Sequence, residues 1–191
     1  MKTAEVLFLK LVGLGDSITE GYPFSKEDSW FNIVCKRLTV EYCNMGINGD
    51  LTAGMLYRVR EALAVNPDVI IVLGGTNDAF HHLPLEVVQM NIEGIIQQIR
   101  NSSKAVSIIL GLPIPIDDTY EESLLEQYRL WMKNYAIEEN IPVIDFYAAL
   151  VDPKTNAIKA EYDYDGCHPN KLGHNKMAEV AEVVIRMNKK I

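Results

Sequence analysis

The chain has 191 residues, 48% of them hydrophobic, enough for one sizeable core and cramped for two. Its 18 Lys and Arg against 26 Asp and Glu leave a formal charge of -8 with no long charged run, which opposes binding to nucleic acid or anionic membrane surfaces, so neither is expected as a partner. Cys35, Cys43 and Cys167 form no CxxC pair, so neither a disulfide framework nor a thiolate zinc site is implied.

The opening segment, MKTAEVLFLKLVGLGDS, has an apolar run interrupted by Lys10, preceded by Glu5 and followed by no small-residue cleavage pattern. It reads as a buried strand from Val6 to Leu14 rather than a signal peptide or membrane span, and a cytoplasmic location is expected. Further apolar, β-branched runs at Val40 to Cys43, Val69 to Leu73, Ala105 to Leu110 and Pro142 to Phe146 are bounded by turn residues and suit buried strands. Between them, helical spacing covers Trp30 to Leu38, Leu51 to Leu63, Leu85 to Ile99, Glu121 to Glu138 and Lys171 to Met187. The alternation predicts one α/β domain over residues 1–191: a three-layer α/β/α sandwich with about five parallel strands and right-handed helical crossovers. In such sheets ligands bind at the carboxyl ends of the strands, so chemistry is expected in the loops after Leu14, after Cys43 and after Leu73, and near the last strand or the segment following it.

Each of those loops carries a candidate. Gly15-Asp16-Ser17-Ile18-Thr19 follows the first strand, and a serine at a strand-to-helix turn can expose its hydroxyl while its own N–H faces an oxyanion, although Ser and Asp there also suit a helix cap. Asn44-Met45-Gly46-Ile47-Asn48-Gly49-Asp50 follows the second strand, with two glycines for a tight turn, or simply a turn capped by Asp50. Gly74-Gly75-Thr76-Asn77-Asp78 follows the third and offers an amide to developing negative charge, or only turn chemistry. Asp165-Gly166-Cys167-His168-Pro169-Asn170 precedes the last helix, where a carboxylate three residues ahead of an imidazole can fix its tautomer. The bland alternative there is a surface histidine with Pro169 at the helix start. Four loops converging where the topology requires a site favour one active site over four coincidences. Cys167 is set aside as a nucleophile, because neighbours on an irregular segment rarely aim at one target.

These residues resemble, in order and over nearly the whole chain, the SGNH hydrolases, the GDSL esterase and lipase superfamily. Gly15-Asp16-Ser17 is similar to the family's nucleophile block, with Ile18 where the eponymous motif has Leu; Gly49, by its place before Asp50, resembles the oxyanion glycine in preference to Gly46; Asn77 resembles the oxyanion asparagine; and Asp165 and His168 in Asp-x-x-His-Pro-Asn resemble the acid and base. The resemblance implies a flavodoxin-like fold and hydrolysis of small-molecule esters, with Ser17 as nucleophile, His168 as base, Asp165 orienting it, and Ser17, Gly49 and Asn77 forming the oxyanion hole, with no metal or organic cofactor.

Other classes fit less well. The nucleophile segment lacks the second glycine of a G-x-S-x-G elbow, Gly13 to Ile18 fails G-x-G-x-x-G at its last position, and no P-loop occurs. His81 and His82, like Asp117 and Asp118, lack metal-ligand spacing; His81, Phe80 and Leu83 are expected to line the substrate cleft, and His174 to be a partly exposed helical residue. A non-catalytic ligand- or carbohydrate-binding module retaining the fold would be marked by a missing catalytic residue, and none is missing.

Overall fold

The computed structural model describes residues 9–102 and 104–189. Five parallel strands, β1 (Lys10–Gly15), β2 (Glu41–Gly46), β3 (Val69–Leu73), β4 (Ser107–Gly111) and β5 (Val143–Ile144), pair in the order β2-β1-β3-β4-β5. The Val6 to Phe8 part of the first expected strand lies outside the described residues. Eight α-helices occur among the described residues: α1 (Ser17–Glu20), α2 (Trp30–Leu38), α3 (Thr52–Ala64), α4 (Thr76–Phe80), α5 (Leu85–Arg100), α6 (Thr119–Glu138), α7 (Phe146–Leu150) and α8 (Lys171–Lys189). None is long and apolar enough to cross a membrane.

The alternation of side chains along each strand builds the layers. Val12, Leu14, Ile70, Val72 and Leu110 face one side and pack with Met55 and Val59 of α3, Ile92 and Ile95 of α5, and Leu125 and Met132 of α6. Leu11, Ile71, Leu73 and Ile109 face the other and pack with Phe31 and Val34 of α2, Phe146 of α7, and Met177 and Ala181 of α8. Strands buried on both faces read as unbroken apolar runs, which is why they were visible in the sequence.

Three short helices, α1, α4 and α7, lie outside the expected helical spans, and α7 truncates the last expected strand. The Asp145 carboxylate accepts the Ala148 N–H at 2.9 Å, so the chain turns into α7 at Phe146 instead of remaining extended. At α8 the cap is Asn170, whose side-chain oxygen accepts from Leu172 and Gly173 at 2.9 and 3.0 Å. Pro169 therefore lies before the helix, bridged to Asp163, rather than at its first position.

His174 departs from expectation. It is fully buried rather than partly exposed, because α8 lies across the start of α2 and the His174 Nδ1 accepts the Trp30 backbone N–H at 3.3 Å. Burial, with a smaller contribution from His168, pulls its pKa down to about 4, against the opposing pull of Asp28 and the Tyr22 carbonyl. Between an unfolded value of 6.5 and the folded value of about 4, the unfolded chain takes up a proton that the folded chain refuses. Above that window this histidine costs nothing; as the pH falls through it, stability drops by an amount on the order of 2–3 kcal/mol. His174→Asn, whose side-chain oxygen can replace Nδ1 against Trp30, should show a smaller loss of urea midpoint between pH 7 and pH 4.5 than the parent. Parallel losses in the two proteins would clear His174 of this role.

Candidate active site

The strand order changes direction between β1 and β3, and the crevice beyond their carboxyl ends is where Ser17 and Asn77 emerge. Ser17 is the first residue of α1, and the preceding Asp16 caps that helix by accepting the Ile18 N–H at 3.0 Å. The second Asp16 oxygen is buried without a partner among the described residues. Burial, helped by the charges of Asp78 and Asp50 and opposed by the Ile18 N–H, pushes the Asp16 pKa up to about 7.

Ser17 and His168 lie 151 residues apart in the chain, yet Ser17 Oγ is 3.1 Å from His168 Nε2. On the other side of the ring, Nδ1 is 3.1 and 3.0 Å from the two Asp165 oxygens. A carboxylate can only accept, so Nδ1 carries the proton and donates it to Asp165, leaving Nε2 bare to accept from the Ser17 hydroxyl. Asp165 Oδ1 also accepts the backbone N–H groups of Cys167 and His168 at 3.1 and 2.8 Å. Partial burial works to raise the Asp165 pKa, but these backbone donors and the imidazole outweigh it and hold the carboxyl below its usual range. The loop is laced to itself, with Tyr164 N–H donating to the His168 carbonyl at 3.0 Å and Gly166 N–H to Asp163 at 2.8 Å. Rigidity of this kind keeps the imidazole in one place.

Asp50 N–H donates to the Ile47 carbonyl at 3.1 Å, closing a turn with Gly49 at φ 77°, a conformation that suits glycine. A side chain at Gly49 would meet open space, whereas one at Gly46 would collide with the Glu20 nitrogen at 2.1 Å. The two glycines thus have different jobs: Gly46 lets β2 pack against α1, and Gly49 shapes the exposed turn between β2 and α3. The Gly49 N–H donates to no acceptor among the described residues. The Asn77 amide donates one hydrogen to the Asp50 carbonyl at 2.9 Å and keeps a second for another acceptor. Asp50 does not cap α3; the buried Asp78 accepts the Thr52 N–H and hydroxyl there instead, at 3.0 and 2.5 Å.

Two contributors escaped the sequence reading. Tyr22 packs edge-on against the His168 ring, with centroids 4.9 Å apart. Arg58 of α3 places its guanidinium among the ends of β1 and β2 and the Asp50 carboxylate. Tyr22 carried no motif because its partner is remote in sequence, and Arg58 carried none because two of its three partners are main-chain carbonyls and the third, Asp50, lies at a spacing that marks no common motif. Of the residues after β3, His82 pairs with Glu121 at 2.9 Å and stacks edge-on with Tyr120, while Phe80 is 42% exposed at the end of α4. Asp118 caps α6 by accepting the Tyr120 N–H at 3.0 Å.

With this sheet order and these loops at its carboxyl edge, the chain is by its relatives an ester-bond hydrolase of the GDSL type. Residues 14–176 match the GDSL-like lipase/acylhydrolase family, and the chain belongs to that family. It is 26% identical over 185 residues to an arylesterase of Vibrio mimicus, covering 93% of this chain and 88% of that protein. It is 25% identical over 175 residues to esterase TesA of Pseudomonas aeruginosa, covering 88% and 84%. A lipolytic protein of the G-D-S-L family from Desulfitobacterium hafniense superposes with a TM-score of 0.85 at 30% identity, covering 92% of this chain and 98% of that one.

Proposed function

We propose that the protein is a serine esterase acting on small carboxylic esters with short acyl groups. The observation that carries this reading is the unbroken line from the Ser17 hydroxyl through the His168 ring to the Asp165 carboxylate. Ser17 Oγ attacks the ester carbonyl while Nε2 takes its proton; the same proton then goes to the departing alcohol, and a water activated by Nε2 releases the acyl group. The tetrahedral oxyanion is held by the N–H groups of Ser17 and Gly49 and the free hydrogen of the Asn77 amide. Ester substrates are further supported by the names of the related arylesterase and esterase.

The preference for short acyl groups is supported by the open surroundings of the site. Tyr22, Ile47 and Phe80 are 41%, 49% and 42% exposed, a rim rather than a tunnel. The test is turnover of a p-nitrophenyl ester series from acetate upward, together with labelling by a fluorophosphonate. Hydrolysis greatest for acetate or butyrate, with the label recovered on Ser17, is expected. Folded protein that neither turns over these esters nor takes the label at Ser17 would sink the proposal, and a maximum at ten or more carbons would sink the short-acyl part alone.

A further inference from the structure

The three proposed oxyanion donors come from three separate loops, so something must set their spacing. Arg58 reaches into that junction from α3. Its Nε–H donates to Asp50 Oδ2 at 2.8 Å, its Nη1–H to the Met45 carbonyl at 2.6 Å, and its Nη2–H to the Gly15 carbonyl at 2.8 Å, with Nη2 also 2.8 Å from Asp50 Oδ2. Gly15 ends β1 just ahead of Ser17, Met45 lies near the end of β2, and Asp50 directly follows Gly49. The Asp50 carbonyl in turn accepts the Asn77 amide at 2.9 Å. One guanidinium therefore ties two strand ends to the Gly49 turn and, through Asp50, to Asn77.

The arrangement demands arginine. Its planar fork offers five donors in fixed directions, whereas a lysine ammonium is a single point that cannot serve acceptors on both sides of the turn in the same geometry. The Arg58 and Asp50 side chains are only 10% and 13% exposed, so water does little to weaken their attraction. Gly54, one turn of α3 onward, leaves the space that the Asp50 carboxylate occupies: a Cβ there would lie 1.9 Å from Asp50 Oδ1.

We propose that Arg58, acting through Asp50, is a positioning residue that holds the Gly49 and Asn77 donors at the distance from Ser17 that the tetrahedral oxyanion requires. The inference rests on the reading of Ser17, Gly49 and Asn77 given above. Arg58 touches no reacting atom; its effect is exerted on donors that matter most in the transition state, so it belongs in kcat rather than KM.

The experiment measures kcat and KM for p-nitrophenyl acetate in the parent, Arg58→Lys, Gly54→Ala, Asn77→Ala and the two doubles that combine Asn77→Ala with either of the others. Ser17→Ala serves as a control, and urea midpoints report folding. Gly54→Ala is the second route to the same end: it displaces the Asp50 carboxylate while keeping Arg58 and improving helix propensity, so it does not depend on Arg58→Lys folding well. Losing an oxyanion donor outright costs on the order of 10²–10³ in kcat, and misplacing donors should cost about 10- to 100-fold, with little change in KM. The same substitutions should cost distinctly less once Asn77 is already alanine, because part of what they position is gone.

If Arg58→Lys and Gly54→Ala retain kcat, or lower it by an unchanged factor in the Asn77→Ala background, the pair only fastens helix to sheet and the inference falls. Should Ser17→Ala turn over the ester as well as the parent does, the reading of the site itself falls, whatever Arg58 does.

Discussion

Ser17→Ala and His168→Ala should each lower kcat for p-nitrophenyl acetate by a factor on the order of 10⁶, and the double variant should be no slower than either single one. The 3.1 Å contact between Oγ and Nε2 is the reason for the lack of additivity. An alcohol is a poor nucleophile until its proton leaves, and the only use the mechanism makes of Nε2 is to take that proton and pass it on. Removing either member disables the pair, and removing the second then costs nothing more. What remains is the rate supplied by binding and by the oxyanion donors. A double variant slower by the product of the two single losses would mean that the two side chains work independently and would overturn the proposed pairing.

Asp165→Asn should cost on the order of 10⁴ in kcat while leaving the loop folded. The amide oxygen can still accept the Cys167 and His168 backbone N–H groups that now reach Oδ1 at 3.1 and 2.8 Å, so the turn survives. The NH₂ group, however, replaces the nearer of the two oxygens that face Nδ1, at 3.0 Å, and leaves only Oδ1, at 3.1 Å and already shared between two backbone N–H groups, to accept from the ring. With a donor beside Nδ1 the tautomer that carries its proton on Nε2 gains population, and in it the ring points a hydrogen at Ser17 and cannot accept from it. The substitution also removes the negative charge that stabilises the imidazolium. Steady-state kinetics beside a urea midpoint separate the two aspects: near-parental stability with a large loss of kcat is expected, and a near-parental rate would show that Asp165 does not set the tautomer.

Much of this site could be read from the chain because its members sit at topological positions that leave local marks. Ser17 and Asn77 each follow a β-branched apolar run that suits a buried strand, and parallel sheets bind ligands at the carboxyl ends of their strands. Asp165 and His168 are three residues apart, so their pairing is local and shows as spacing. Gly49 was selected over Gly46 by resemblance, and the backbone supplies a physical distinction: the first adopts φ 77° in an open turn, the second is pressed against Glu20.

Other features needed coordinates. Arg58 looks like any helical arginine, since its partners are main-chain carbonyls 13 and 43 residues away and a carboxylate eight residues back in the loop before α3. His174 occupies a helix position that a surface histidine could fill, and only the packing of α8 on α2 buries it. Asp16 reads as a helix cap, and it is one, but its burial beside Asp50 and Asp78 gives it a pKa of about 7. The end of β5 was lost to a cap at Asp145, because a single side-chain hydrogen bond decides such boundaries. Sequence alone determined what depends on short-range periodicity and spacing: the alternation of strands and helices, and the residue types gathered at the carboxyl end of the sheet. Tertiary structure alone decided what depends on solvent exclusion and on hydrogen bonds between distant segments, since burial and long-range contact are properties of the packed chain and leave no periodic trace along it.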